Sequence, residues 1–361
     1  TSPPRELWRT AIGPAWSSFA YVSGRLFTQE QRGQDEVISC YDASDGTLIW
    51  GHTETARFTE VVSGPGPRAT PTFHDGRLFA YGAKGILCAL DAASGDLLWR
   101  HDLIKEFNAR LPMWGFSSSL LVLANVIIIH ADGDGANGLI AFDPVDGKSV
   151  WRVPAEGMNF SSAQPVQLEG TSLAVFADEK GLIAIEPADG KVAWKFTPAG
   201  WEGPPIVQMQ QIDDSSLIVP LGDGIGTARL NISRDGDEWK IEEKWSSKQL
   251  KPTFNDFVYH KGHLYGFDRN IFTCIDAENG QRKWKRGRYG FGQVLLLADR
   301  SQLIVATEKG EAVLLEADPA SHAERGRVKV VSGKTWNHHV VANSKLFFRN
   351  GSETVCLSLV P

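Results

Sequence analysis

Nothing in this sequence repeats with the period of an amphipathic helix. Apolar residues come in short runs broken by glycine, aspartate and asparagine, which leaves β-structure as the organising element. Cysteine is scarce. Cys40, Cys88, Cys274 and Cys356 lie far apart with no C-x-x-C among them, so neither a zinc ribbon nor a dithiol redox pair is written here. Basic clusters are missing as well: 37 Lys and Arg against 43 Asp and Glu give a formal net charge of −6, and no nucleic-acid partner is expected on electrostatic grounds. No apolar run reaches the length that crosses a bilayer, and "SLLVLANVIIIHADG" is cut by Asn125 and His130. No Walker sequence, G-x-S-x-G or H-E-x-x-H occurs. The chain opens with "TSPPRELW", without methionine and without a visible signal peptide, which is compatible with a form that has shed its leader.

What is present is one hairpin written many times. An acid is followed four residues later by glycine and four after that by tryptophan: Asp42/Gly46/Trp50, Asp91/Gly95/Trp99, Asp143/Gly147/Trp151, Glu186/Gly190/Trp194 and Asp276/Gly280/Trp284. The spacing predicts a β-hairpin whose loop is closed by a carboxylate accepting backbone N–H groups and by a glycine at positive φ. Tryptophan then falls on the outgoing strand, where its area can seal a contact between units. These acids are read as turn formers, not as catalysts. Three of the cysteines stand just before such a turn and Cys356 holds the matching place in "ETVCLSLV". Equivalent places in separate units lie apart, so free buried thiols are expected.

A second hairpin precedes each of these, as in "TPTFHDGRLFAYGAKGILCALD" and "VYHKGHLYGFDRNIFTCID", so one unit is four short antiparallel strands. A degenerate copy leads to Trp245, and another, with a longer turn, ends near Val328 or Val330. The chain closes on three strands, "HHVVANSKLFFRNGSETVCLSLV", and opens on an orphan fourth strand at Trp8. Joining the two ends gives eight units and removes the open edge that a solenoid must cap. The expectation is all-β: an eight-bladed β-propeller of four-stranded antiparallel blades, with the N-terminal strand joining the C-terminal three and residues 1–361 as one domain.

This D-x-x-x-G-x-x-x-W hairpin in a unit of about 45 residues resembles the pyrroloquinoline-quinone-type propeller repeat over essentially the whole chain. Within that superfamily it is most similar to the BamB-type lipoproteins of outer-membrane β-barrel assembly. The resemblance implies a non-enzymatic scaffold at the periplasm or cell envelope, with a protein or glycan-like partner and a lipid anchor on a leader absent from this chain. It leaves open a quinone-dependent alcohol or sugar dehydrogenase and a carbohydrate-binding or sensing module, because the fold hosts all three.

Candidate binding residues come from the links between blades: "GPAWSS", "GPGPRATP", "MWGFSSS", "GMNFSSAQP", "GWEGPPIV", "LKPTFNDFV", "GRYGFGQV" and "GKTWNHHV". In a propeller these would gather Trp16, Arg68, Trp114, Asn159, Trp201, Asn255, Phe291, Gln293, Trp336 and His338 around a funnel, as a ligand surface or as a plug. The resembled dehydrogenases hold their quinone with Ca²⁺, a general-base Asp and, in many members, adjacent cysteines. Here the links offer Asn159, Asn255, Glu202 and Asp256 and no adjacent cysteines, a thin set for a hard cation. The expectation is therefore no catalytic residue, no metal and no cofactor, with pyrroloquinoline quinone and Ca²⁺ entering only under the dehydrogenase alternative. "ADGDGANGLI" fails the calcium-loop register: counted from Asp132 through Asp134, position 6 is Asn137 rather than glycine. His338 and His339 should point to opposite faces of a strand. N-x-S sequons stand at Asn231 and Asn350.

Overall fold

A computed structural model describes residues 4–133 and 135–360. The chain is an eight-bladed β-propeller of four-stranded antiparallel sheets. The N-terminal strand Arg5–Ala11 pairs with Glu353–Ser358, the last strand of the chain, with Trp8 opposite Cys356. Two compact units can be distinguished. One runs to Ala155 and resumes at Val328; the other is Glu156–Arg327.

Burial follows the layer logic of the blade. Middle strands such as Val126–His130 and Leu139–Phe142 are buried throughout, as continuous apolar runs covered on both faces should be. Outer strands alternate, as in Leu48–Glu54. All four cysteines are buried and free.

The repeated turn closes as its residue types dictate. Asp42 accepts the Ser44 N–H at 2.7 Å through its carboxylate and the Gly46 N–H at 2.9 Å through its carbonyl. Asp91, Asp143 and Asp276 do the same, with Gly95, Gly147 and Gly280 at their carbonyls. Glu186 departs from the rule. Its carbonyl still takes the Gly190 N–H at 3.0 Å, but its longer side chain reaches out to Lys191 at 3.1 Å.

Five of the repeat tryptophans latch onto the next blade's turn. The Trp8 indole N–H donates to the Ala43 carbonyl, Trp50 to Ala92, Trp99 to Pro144 and Trp245 to Ala277, at 3.2–3.3 Å. Trp284 reaches Asp318 at 2.9 Å. The ring lies on the glycine of that turn: a Cβ added to Gly46 would sit 2.7 Å from the Trp8 ring, and one on Gly95 2.6 Å from Trp50. Glycine is thus required twice, for φ near +77° to +80° at these two positions and for the approach of the indole. Trp194 faces the degenerate blade, which has no acidic turn in this place, and its indole N–H finds no partner among the described residues.

Polarity is buried where the closing blade meets the next. Along Arg25–Arg32, Thr28, Gln29, Glu30 and Gln31 are all buried. Gln29 donates to the Ala69 carbonyl at 2.7 Å, and Gln31 to those of Asp35 and Ala56. Arg349, 1 % exposed, gives hydrogen bonds to Thr28 at 2.7 Å and to the Gly13 carbonyl at 3.0 Å. The Gly13 N–H in turn donates to Glu30, which also receives Ser39, Tyr41 and Arg32 at 2.6–2.7 Å.

Burial alone would raise the Glu30 carboxyl, but the Ser39, Tyr41 and Gly13 donors together hold it below its usual 4.5. The unfolded chain therefore takes up this proton first, so the stabilisation is present above pH 4.5 and is lost as pH falls through the folded-state value. Glu30→Gln should flatten this part of the acid loss. Urea midpoints at pH 7 and about pH 3 check it, and equal slopes in the two proteins would contradict the assignment.

Candidate functional site

The links in the unit that runs to Ala155 and resumes at Val328 build an aromatic surface. Trp16 and Trp336 lie 5.0 Å apart between centroids, tilted by 35°. The Lys334 ammonium sits 3.9 Å from the Trp336 centroid and 5.8 Å from that of Trp16, a cation–π arrangement. The loop before the next blade is tied to this cluster. The Trp16 indole donates to the Ser63 carbonyl at 3.0 Å and Lys334 to the Val62 carbonyl at 3.2 Å. That loop presents Val61 and Val62 fully or largely to solvent, and the following link presents Leu111 and Met113. Trp16, Trp114, Trp336 and His338 are each partly exposed.

Arg68 serves the scaffold. Its side chain is 8 % exposed, stacks 4.5 Å over Phe58 and donates to Ser63 at 2.9 Å and to the Gly64 carbonyl at 3.1 Å. It thereby shapes the loop carrying Val61 and Val62. Burial lowers its pKa to about 10, well above neutral pH. His338 and His339 diverge as strand alternation requires: His338 is partly exposed, while His339 is buried against Phe348 at 5.8 Å.

In the Glu156–Arg327 unit the link residues mostly hold their own backbone. Asn159 accepts the Ser161 N–H at 2.7 Å. Asn255 accepts the Thr253 N–H and donates to the Arg269 carbonyl, and Gln293 bridges the Asp256 N–H to the Phe254 carbonyl. Phe291 stacks on Phe254 at 5.2 Å, and Trp201 packs on the apolar cluster of Met209 and Leu221. Among the described link residues of this unit, the polar atoms without a partner, Asn159 Nδ2 and Trp201 Nε1, are donors. A Ca²⁺–quinone pair needs oxygen acceptors. The amide oxygens of Asn159 and Asn255 are already taken and Glu202 is exposed, so these residues do not fit that group.

The other sequence candidates resolve locally. Asp132 is buried and paired with Arg110 at 2.9 Å, and Asn137 accepts from Arg152 at 3.3 Å; Asp134 lies outside the described residues. Asn350 is buried and donates to the Ser332 carbonyl, so the folded chain offers no acceptor amide there, whereas Asn231 is half-buried on a strand. Sequence reasoning missed Lys334, Val61 and Val62. The signal was available in "EVVSG", an apolar pair outside any strand pattern, and in the lysine two residues before Trp336.

Comparison with known proteins places this geometry among relatives. The family described as "Outer membrane protein assembly factor BamB" matches residues 4–137 and 135–287. The quinohemoprotein alcohol dehydrogenase ADH IIB of Pseudomonas putida is 31 % identical over 129 residues, which is 36 % of this chain but 17 % of that enzyme's length. Among solved structures, BamB from Moraxella catarrhalis superposes with a TM-score of 0.69 at 12 % identity, covering 98 % of this chain and 100 % of that one. The quinohemoprotein alcohol dehydrogenase from Comamonas testosteroni gives 0.69 at 10 % identity, over 98 % of this chain and 76 % of that one. At such identities the likeness of structure speaks for the fold alone.

Proposed function

The chain belongs to the outer membrane protein assembly factor BamB family, and from that premise we propose a non-enzymatic scaffold that binds a protein partner at the cell envelope. The observation that carries the reading is the link surface around Trp16, Trp336 and Lys334. The large apolar residues exposed on links, Val61, Val62, Leu111 and Met113, all belong to the same unit. Exposed aliphatic side chains beside half-buried tryptophans have the composition of a protein-binding hot spot with its surrounding rim. The polar link residues of Glu156–Arg327, from which a quinone pocket would draw its donors, are committed to backbone instead. A sugar-stacking role is less well supported, because the Lys334 ammonium covers a face of Trp336 at 3.9 Å.

The test combines three measurements. A photo-crosslinking residue at Val62, expressed in the native host, should give one defined protein adduct that a control position at Lys105 does not. Trp336→Ala should weaken the isolated complex by at least about thirtyfold. Titration of the pure protein with pyrroloquinoline quinone and Ca²⁺ should give neither saturable tryptophan quenching nor dye-linked alcohol oxidation. Saturable quenching with turnover would replace the scaffold with an enzyme.

A further inference from the structure

We propose that His52, Glu54, Cys88 and Glu36 form a binding site for a borderline-soft divalent metal ion of the zinc type. The site lies between the blade containing Leu48–Glu54 and the next, at the strand end that leads into the link carrying Arg68, whose charge reaches Glu36, and it does not depend on the function proposed above.

The sequence places the donors by strand geometry. His52 and Glu54 are two apart on one outer strand and so share a face. Glu36 is directly opposite Glu54 in the ladder. Cys88 comes from the neighbouring blade, on the strand Ile86–Asp91. The ligand atoms of His52, Glu54 and Cys88 all lie within 4.8 Å of one another. The Glu54 carboxylate oxygen Oε1 is 3.2 Å from His52 Nε2 and 3.5 Å from Cys88 Sγ. Donors at zinc bond lengths in a tetrahedron are separated by about 3.3–3.8 Å, so these edges need little adjustment.

Glu36 supplies the independent sign that something is missing from the set. It is 3 % exposed, and its Oε1 has no hydrogen-bond partner among the described residues. The carboxylate receives the Ala83 N–H, yet it lines a cavity of about 10 Å³ together with Glu54 and Cys88. That is room for one water-sized occupant. Gly82 makes the space. Its backbone does not require glycine, since its φ is not positive, but a Cβ there would fall 2.3 Å from Glu36 Oε2. Two carboxylates and a buried thiol on one small cavity, with the His52 imidazole 3.2 Å from the Glu54 carboxylate, suit a cation that accepts nitrogen, oxygen and sulfur together.

The surroundings supply the second layer that metal ligands require. Arg100 Nε donates to Glu54 Oε2 at 3.0 Å, which orients the carboxylate and leaves Oε1 toward His52 and Cys88. The side chains of His52 and Glu54 are partly open to solvent, 17 % and 15 % exposed, giving the ion a way in, while Cys88 forms the buried floor. Binding forms a metal–sulfur bond, and the Cys88 proton leaves to bulk water.

Cobalt(II) is the probe that reads the sulfur ligand directly. Titration of the metal-free protein should give a one-to-one complex with a thiolate-to-cobalt charge-transfer band and tetrahedral visible bands, both displaced by Zn²⁺. Cys88→Ser should remove the charge-transfer band, and Glu36→Gln should weaken binding at least tenfold. Because Cys88 is a core residue, His52→Ala at the partly exposed rim provides the variant that removes a ligand without opening the interior. It should also weaken binding at least tenfold, while Cys356→Ser should bind as the parent does. No thiolate band, a band that survives Cys88→Ser, or unchanged affinity in His52→Ala would each overturn the proposal.

Discussion

Arg349→Met should cost about 3–5 kcal/mol of unfolding free energy, a large fraction of the stability of an ordinary domain. Arg349 is 1 % exposed and sits on the strand Lys345–Arg349 of the closing blade. Its guanidinium serves Thr28 and the carbonyls of Gln29 and Gly13, so its loss strands several buried acceptors at once. It also withdraws the cation whose field faces Glu30. Burial lowers the Arg349 pKa to about 10, so the group stays charged at neutral pH. Methionine restores the volume but none of the donors, which makes the experiment a test of the polar network and not of a cavity. Glu30→Gln in the same background should recover part of the loss, since the carboxylate left behind is then neutral, and the non-additivity measures the coupling. The reading is the urea midpoint at unchanged slope. A loss below about 1 kcal/mol would mean that water replaces the guanidinium without penalty.

That network was the least legible part of the chain. In the sequence, "FTQEQR" and "FFRN" are merely polar strands, and alternation would send half of each to solvent. The register of the closing blade brings Arg349 to Gly13 and Thr28 from more than three hundred positions away, and no local pattern records such a pairing. The repeat, by contrast, was legible because its physics is local. A carboxylate that accepts the N–H two residues on, and a glycine at positive φ, are chosen by the turn itself. The count of eight came from the same source, together with the orphan strand at Trp8.

The links fall between these cases. Trp16, Trp114 and Trp336 stood out as aromatics in glycine-rich segments, and the structure leaves all three partly exposed. Asn255 and Gln293 carried equally suggestive letters, yet both ends of each amide are used on backbone. An amide in a link has two equally good uses, and only the fold decides between ligand and scaffold. The His52, Glu54 and Cys88 group was hidden for a related reason: its donors come from two blades and have no fixed spacing in sequence. Gly82 gives the nearest sequence trace, as a glycine whose reason lies in a neighbour and not in its own φ.

The tryptophan latch is where the repeat's chemistry becomes the molecule's cohesion, and Trp8→Ala should show it with a loss of about 3–5 kcal/mol. Trp8 is 8 % exposed, packs near Phe347 at 6.1 Å, covers Gly46 and donates to the Ala43 carbonyl at 3.2 Å. It also lies on the strand that joins the two ends of the chain, so its contact holds the closing blade to the blade that follows. Two milder variants separate the contributions. Trp8→Phe keeps most of the apolar area and loses the indole donor, which should cost about 1–2 kcal/mol. Gly46→Ala keeps the tryptophan but places a methyl 2.7 Å from its ring at a φ of +77°, and should cost about 2–4 kcal/mol from backbone strain and overpacking together. Trp194 provides the internal control, because its indole N–H already lacks an acceptor among the described residues. Trp194→Phe should therefore cost clearly less than Trp8→Phe in the same urea assay. If the two phenylalanine variants lose equal stability, the hydrogen bond to the neighbouring turn contributes nothing, and the latch is packing alone.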